Sequence, residues 1–342
     1  MSSTLYQSLL VCRGFQKQNL DGTSEYKDPH TICGLLEIAL KCCNPLNYPK
    51  VVGSSRTDKG VHALCNTVHV DLEGDFKNIN SFSIAKTANV FFAYNDHDIR
   101  ILKVQQVADD FHCRHKACGR KYLYRLAFPK PGAPFYEKTV IPYPVSEFKR
   151  CLFLQEDTFN VEAVKSACGL FLGEKDFRSF SSKSRDDREI NTIRSLDTLE
   201  LTPGRPMVHQ DSLTEQYDFW DITCSSRSFL YHQVRRMVSS LLAYGQGRIK
   251  IADLQRMFDE PSEESWSVTG ALVSSEGLFL TEIWYKAEDL AFSEQTHRQE
   301  ALLHQLQEET HQILEKLKLP DTTILEKIKL RERLLEIKKT IF

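Results

Sequence analysis

The sequence predicts an α+β fold, and three patterns predict it. Arg120 to Phe128 alternates as a strand does, with Tyr122, Tyr124 and Leu126 on one face and Lys121, Leu123 and Arg125 on the other. Helix-spaced apolar residues come in separated blocks, near 32–43, 161–172 and 231–243, with runs of strand candidates between them instead of a regular βα alternation. After Ala287 the character changes to charged, helix-periodic segments.

The elements follow in order. Thr31 can cap a helix whose apolar positions are Ile32, Leu35, Leu36, Ala39, Leu40 and Cys43. Lys50–Ser54 and Cys65–Leu72 read as strands, the second with Val68, Val70 and Leu72 on one side. A helix over Ser83–Phe92 and a strand over Ile99–Val107 complete an N-terminal α/β subdomain, 1–105. A second subdomain, 106–287, holds the strand at Arg120, an amphipathic helix over Val161–Leu172, strands over Thr192–Leu201 and Tyr217–Cys224, a helix over Tyr231–Ala243 and a closing strand over Leu278–Lys286. In the tail, 288–342, helices over Gln299–Lys318 and Ile324–Thr340 are separated by Pro320-Asp321, which predicts an antiparallel hairpin packed on the body or on another subunit.

Composition bounds the function. The chain has 342 residues, 41% hydrophobic and 26% charged, which suits a water-soluble globular protein with ample core. No apolar run approaches the roughly 20 residues that span a bilayer, so no membrane partner is expected. The net charge is −2, yet Phe111–Tyr136 and Ile222–Ala252 contain no acidic residue and several arginines and lysines. Two basic segments in a balanced chain suggest a charged groove. The ten cysteines are scattered with no C-x-x-C pair, so no structural metal is expected and the thiols read as reduced and intracellular. The first twenty residues lack acids and include Ser2, Ser3, Ser8, Arg13 and Lys17, a composition compatible with a mitochondrial presequence.

The stretch Ser54 to Leu64, SSRTDKGVHAL, sits between two predicted strands and carries one acid among cations. Asp58 has two readings: a turn residue bonding its own backbone, or a carboxylate kept ionised as nucleophile or electrostatic stabiliser. The second needs a guanidinium beside it, since a nearby cation favours the charged form. Arg56 is one candidate. The helix near Tyr231 offers another, because His232, Arg235, Arg236 and Ser239 lie three and four apart. Tyr122 and Tyr124, bracketed by Arg120, Lys121 and Arg125, are either core residues or a stacking surface for a base.

Together these residues resemble the TruA family of tRNA pseudouridine synthases. SSRTDKGVHAL is similar to the family's R-T-D-x-G-V-H-A loop, Asp110-Phe111-His112-Cys113-Arg114 to its D-F-H-A-R segment, and Arg120-Lys121-Tyr122-Leu123-Tyr124-Arg125 to R-x-Y-x-Y. Leu172 to Phe180 resembles L-x-G-x-H/N-D-F-x-x-F, Phe229 to Val238 resembles F-L-x-x-x-V-R-x-M, and Glu276 to Leu280 carries G-L-x-L. The six blocks keep their order across residues 53–285 and look nearest to the family's animal, synthase-like branch.

The resemblance implies a pseudouridine synthase fold: two α/β subdomains around a mixed, largely antiparallel sheet, here with the helical hairpin added. It implies isomerisation of uridine to pseudouridine in tRNA or another structured RNA, with no cofactor and no metal, and a possible homodimer. Asp58 would be the catalytic acid, Tyr122 would stack on the detached uracil, Arg235 would pair with Asp58, and Leu278 would floor the base. The implied RNA contacts are Arg56, Lys59, His62, Arg114, Arg120, Lys121, Phe229, His232 and Arg236, with His62 also supporting the loop. Three places depart from the pattern. Only Gly14 to Gln18 is similar to the family's opening strand, so that strand is expected to be shortened or replaced. Leu272 stands where a proline is frequent, and Asn191 where an arginine is usual. The alternatives are a non-catalytic RNA-binding protein on the same scaffold, and a hydrolase using Asp58 with His62.

Overall fold

The computed structural model describes residues 4–341 except 15–30, 75–79, 109, 134–141, 155–158, 183–189, 292–293 and 320–322. Its first elements are β1 (Thr4–Gly14), α1 (Ile32–Lys41), β2 (Val52–Gly53), β3 (His62–Gly74), α2 (Ser81–Tyr94) and β4 (Ile99–Gln106). Then come β5 (Gly119–Pro129), β6 (Leu152–Phe153), α3 (Val161–Cys168), β7 (Gly173–Asp176), β8 (Ile193–Pro203), β9 (Tyr217–Ser226), α4 (Gln233–Gly245), α5 (Ile251–Asp259) and β10 (Leu278–Trp284). The tail holds α6 (Ala287–Leu290), α7 (Glu294–Lys318) and α8 (Ile324–Ile341).

Local chemistry accounts for most of the helix ends. Thr31 caps α1 by accepting from Gly34 N at 3.0 Å. Asn80 and Ser83 form a reciprocal capping box at α2. The α-helix predicted to Leu172 stops at Cys168, and Gly169–Phe171 tightens into a 3-10 turn. Helix α4 begins at Gln233, two residues later than predicted, because His232 adopts a left-handed φ of 61° and cannot join the helix.

The strands form one sheet in the order β4-β1-β3-β10-β5-β9-β8-β7, with β2 added to β3 and β6 to β5. All pairings are antiparallel except β3 with β10 and β5 with β6, the mixed, largely antiparallel sheet expected. One core cluster lies beneath α1 and α2 and includes Val68, Val70 and Leu72 of β3. The other gathers Val61, Tyr122, Tyr124, Leu278 and Leu280 with α3, α4 and α5.

The expectation of a shortened first strand is corrected. β1 runs 11 residues and pairs on both edges, with β3 and with β4. Strand pairing draws on backbone groups that every residue but proline supplies, so the strand forms without the motif's side chains. Over 4–14 the acid-free composition thus belongs to a sheet strand. The Phe15 to Gln18 part of the motif lies outside the described residues.

In the tail, α7 and α8 pack on each other, with Ile313 and Ile337 buried and Arg333 bonded to Glu309 at 2.8 Å. Pro320-Asp321 falls outside the described residues. Lys116 ties the root of the tail to the body through Asp289 at 3.0 Å. Among the described residues no helix is long and apolar enough to cross a membrane, and Cys43, Cys113, Cys151, Cys168 and Cys224 are buried free thiols.

Candidate active site

The parallel pairing of β3 and β10 assembles the site. Phe279 opposes His62 and Leu280 opposes Ala63. Parallel strands start at the same end, so the loops entering them, 54–61 and 270–277, lie side by side. Gly60, at φ +85°, backs onto Ser275: a Cβ there would lie 2.4 Å from Ser275 Oγ. Val61 N donates to Asp58 O at 3.0 Å and closes a tight turn. The turn reading of Asp58 therefore describes its backbone, and the side chain is left for other work.

Helix α4 presents its amino end to that side chain. Arg235 donates twice to Val273 O, through Nε at 2.9 Å and Nη2 at 2.7 Å, and its Nη1 lies 3.6 Å from Asp58 Oδ2. His232 Nε2 lies 3.4 Å from the same oxygen, and its Nδ1 is 3.0 Å from Ser182 Oγ. Ser239, one turn after Arg235, accepts from Val273 N at 2.9 Å, so α4 and the 270–277 loop are laced together. A carboxylate at a helix amino end also gains from the positive end of the helix dipole. Burial pushes the His232 pKa down, and the Arg235 and Arg236 charges add to this against the opposing pull of Asp58. The imidazole is therefore predominantly neutral at neutral pH.

Tyr122 is buried, its ring edge-on to Phe229 at a centroid distance of 5.1 Å, and its phenol feels the charge of Asp58. Burial raises the pKa of that phenol well above the ordinary range, so it stays protonated and can donate. Tyr124 differs: its hydroxyl is taken by Ser274 O at 2.7 Å. Leu278 opens β10 in the same core as Tyr122. The arrangement is thus an anionic oxygen pair flanked by two nitrogen donors, a neutral phenol and an apolar wall. Such a group can act as a nucleophile or as a base. Among the described residues no group of three or more His, Cys, Asp or Glu could hold a metal ion.

Several residues expected at RNA serve the scaffold. Arg120 donates to Ser55 Oγ at 2.8 Å and Ser54 O at 3.1 Å, and reaches the Arg114 and Arg227 carbonyls, so it staples the Asp58 loop to the sheet. Arg114 donates to Gly53 O at 3.4 Å on the same loop. Lys121 follows the strand alternation away from Tyr122 and pairs with Glu282 at 3.5 Å. His62 is 3% exposed, bonded to Lys149 O and packed on Phe279, so it holds the loop from within, the supporting role expected of it. The same burial leaves no place for it in the hydrolase reading.

Arg236 donates to Ser179 O and Ser181 O and covers the Trp266 ring, on a bearing about 100° from Arg235 that points it away from Asp58. Phe229 supports Tyr122. Arg56 and Lys59 are exposed on the loop. Among the cations of the two basic segments, Arg125 is buried against Glu147 at 2.6 Å. The sequence reading missed Ser182, Val273 and Ser275. Two of them act through backbone or through a lone hydroxyl, which gives no periodic signal; the glycine of Asp58-Lys59-Gly60 was the available hint that a second chain approaches there.

Comparisons with known proteins identify what the chain as a whole is similar to. The family model described as tRNA pseudouridine synthase matches residues 167–286, from α3 through β10, which include Arg235 and Leu278. The chain is 33% identical over 261 residues to tRNA pseudouridine synthase-like 1 of Xenopus laevis, covering 75% of this chain and 82% of that protein. It is 32% identical over 253 residues to the Homo sapiens protein of the same name, covering 73% and 80%. To tRNA pseudouridine synthase A of Leuconostoc mesenteroides it is 30% identical over 274 residues, covering 80% of this chain and 93% of that one. With relatives at 30% identity or more matched over most of both chains, the chain belongs to the tRNA pseudouridine synthase family.

Proposed function

We propose that this chain isomerises specific uridines of tRNA to pseudouridine, with Asp58 as the catalytic group. The observation that carries the reading is the carboxylate of Asp58, contacted on one oxygen by Arg235 and His232 beside the protonated phenol of Tyr122. In this reaction the C1′–N1 glycosidic bond breaks, the uracil turns, and a C1′–C5 bond forms. The proton leaves C5 and N1 gains one, so atoms and electrons balance without cofactor or energy source. Asp58 starts it by attacking the ribose or by removing its proton, and either role needs the anion. Tyr122 stacks on the detached uracil and assists the proton transfer, while Leu278 closes the apolar side. Flipping the uridine out of a folded RNA costs about a few kcal/mol of stacking, which Arg56 and Lys59 help to offset at the backbone. A homodimer with RNA crossing both subunits follows the family resemblance. The composition of the first twenty residues, expected to favour mitochondria over cytoplasm or nucleus, is used over 4–14 by β1 of the sheet and so favours none of the three.

The test is to incubate the protein with unmodified tRNA and map pseudouridine by position. Asp58→Ala is expected to abolish isomerisation while tRNA affinity stays within a few-fold. A non-catalytic RNA-binding protein would need the cations and not the acid, so failure of the wild type to modify any tRNA that it binds would decide for that alternative.

A further inference from the structure

His232 entered the sequence reading as an RNA contact, and the structure gives it a different environment. Its imidazole is mostly enclosed, stacked on Tyr231 at 3.8 Å, with Nδ1 hydrogen-bonded to Ser182 Oγ and Nε2 3.4 Å from Asp58 Oδ2. Ser182 is itself tied back, donating through its backbone to Tyr231 O at 3.1 Å. The backbone of His232 is left-handed, at φ 61°, a region uncommon for side chains but one in which histidine is enriched. It stands at the cap position of α4, its carbonyl accepting from Arg236 N at 2.9 Å, and makes no capping bond with its side chain, which is thus left to face Asp58.

The two contacts to Asp58 fall on one atom. His232 Nε2 and Arg235 Nη1 both approach Oδ2, and Oδ1 has no hydrogen bond or ion pair among the described residues. A carboxylate accepts and never donates, so the tautomer that bonds Asp58 carries its proton on Nε2 and accepts from the Ser182 hydroxyl at Nδ1.

We propose that His232 is a positioning residue: anchored by Ser182, it holds Asp58 by Oδ2 and so presents Oδ1 to the ribose. The inference rests on the isomerase reading above, and its test separates the two.

Three variants, His232→Gly, His232→Gln and Ser182→Ala, are assayed on unmodified tRNA for kcat, KM, tRNA Kd and thermal midpoint, beside wild type. In His232→Gly, kcat should fall roughly 10- to 100-fold because the reacting oxygen is no longer aimed, with KM and Kd within about threefold of wild type. Its thermal midpoint should hold or rise, because glycine adopts φ 61° without strain. His232→Gln restores an N–H donor at the Nε2 position and should recover most of the rate. Ser182→Ala removes the hydroxyl at Nδ1 and should lower kcat several-fold without moving KM. A raised KM or Kd with unchanged kcat would make His232 an RNA contact and overturn the proposal. A lowered midpoint in His232→Gly with no rescue by Gln would make it a structural residue, with the same consequence. Active wild type with unaffected variants sinks this inference alone; inactive wild type that still binds tRNA sinks the isomerase reading and this one with it.

Discussion

Gly60 and Ser275 meet so closely that a single added carbon on Gly60 would lie 2.4 Å from the Ser275 hydroxyl. This contact joins the Asp58 loop to the loop that Arg235 grips through Val273. The acid and its arginine are thus positioned by the same pair of loops.

Gly60→Ala tests that coupling. At φ +85° any side chain is strained, by about 1–2 kcal/mol, and the clash adds to it, although the serine can rotate. The expected result is a thermal midpoint lowered by a few degrees and a kcat loss larger than the stability loss explains. Scanning calorimetry and the tRNA assay check it. The double variant Gly60→Ala with Ser275→Gly should regain part of the loss, because only the clash is relieved.

Arg235→Lys should behave as a severe change. The guanidinium donates twice to Val273 O and still reaches Asp58, a fork that an ammonium cannot reproduce. Losing charged hydrogen bonds of this kind costs about 1–3 kcal/mol, and the carboxylate loses one of its two contacts. A drop in kcat of roughly tenfold or more is expected, with tRNA affinity preserved, since Arg235 faces the protein and not the RNA. Filter binding beside single-turnover kinetics distinguishes these effects.

Stability should fall on the acid side through His69. Burial, and secondarily the neighbouring His112 ring at 4.8 Å, lower its pKa from 6.5 to about 4, and its Nδ1 accepts from Cys113 N. Above pH 6.5 the ring is neutral whether the chain is folded or not, so His69 adds no pH dependence there. Between 6.5 and about 4 the unfolded chain takes up a proton that the folded site refuses, so stability declines as pH falls through this window and levels off below it. At about 1.4 kcal/mol per pH unit the loss has an upper bound of about 3 kcal/mol. His69→Asn keeps an acceptor near the Nδ1 position and should flatten the decline, as read from thermal midpoints across pH 4 to 7.

Arg56, two residues before Asp58, is exposed and its side chain makes no hydrogen bond or ion pair among the described residues. Arg56→Ala should weaken tRNA binding and reduce the slope of log Kd against log salt by about 1, the mark of one lost phosphate contact. An unchanged slope would show that Arg56 meets no phosphate. Arg120→Ala should act differently, lowering stability more than the salt slope, because its guanidinium is spent on loop carbonyls.

Much of the fold was legible because its signals are local. The alternation at Arg120–Phe128 appears as β5, the Thr31 cap starts α1, and the two charged helical segments of the tail appear as α7 and α8. Elements with few apolar residues escaped: α5 buries only Leu254 and Met257, and β7 consists of Gly173 to Asp176. The first strand was read as altered because its side chains depart from the motif, while the sheet asked only for backbone pairing. Within the site, residue type offered Asp58 several cations, the family resemblance implied Arg235 among them, and the structure brings the two to 3.6 Å. Arg120, Arg114 and Arg236 looked equally suited to phosphate, and residue type gave no sign that each would also bond backbone carbonyls of the scaffold.

The sequence by itself determined the strongly patterned secondary elements, the acid on a turn, and the supply of cations, since spacing, capping and turn chemistry act over a few residues. Which cation reaches Asp58 was decided only by tertiary structure. The parallel pairing of β3 with β10 sets Gly60 against Ser275, and the docking of α4 brings His232 and Arg235 to one oxygen. Those partners lie far apart along the chain, and a backbone carbonyl such as that of Val273 carries no mark in the sequence of the side chain it will hold.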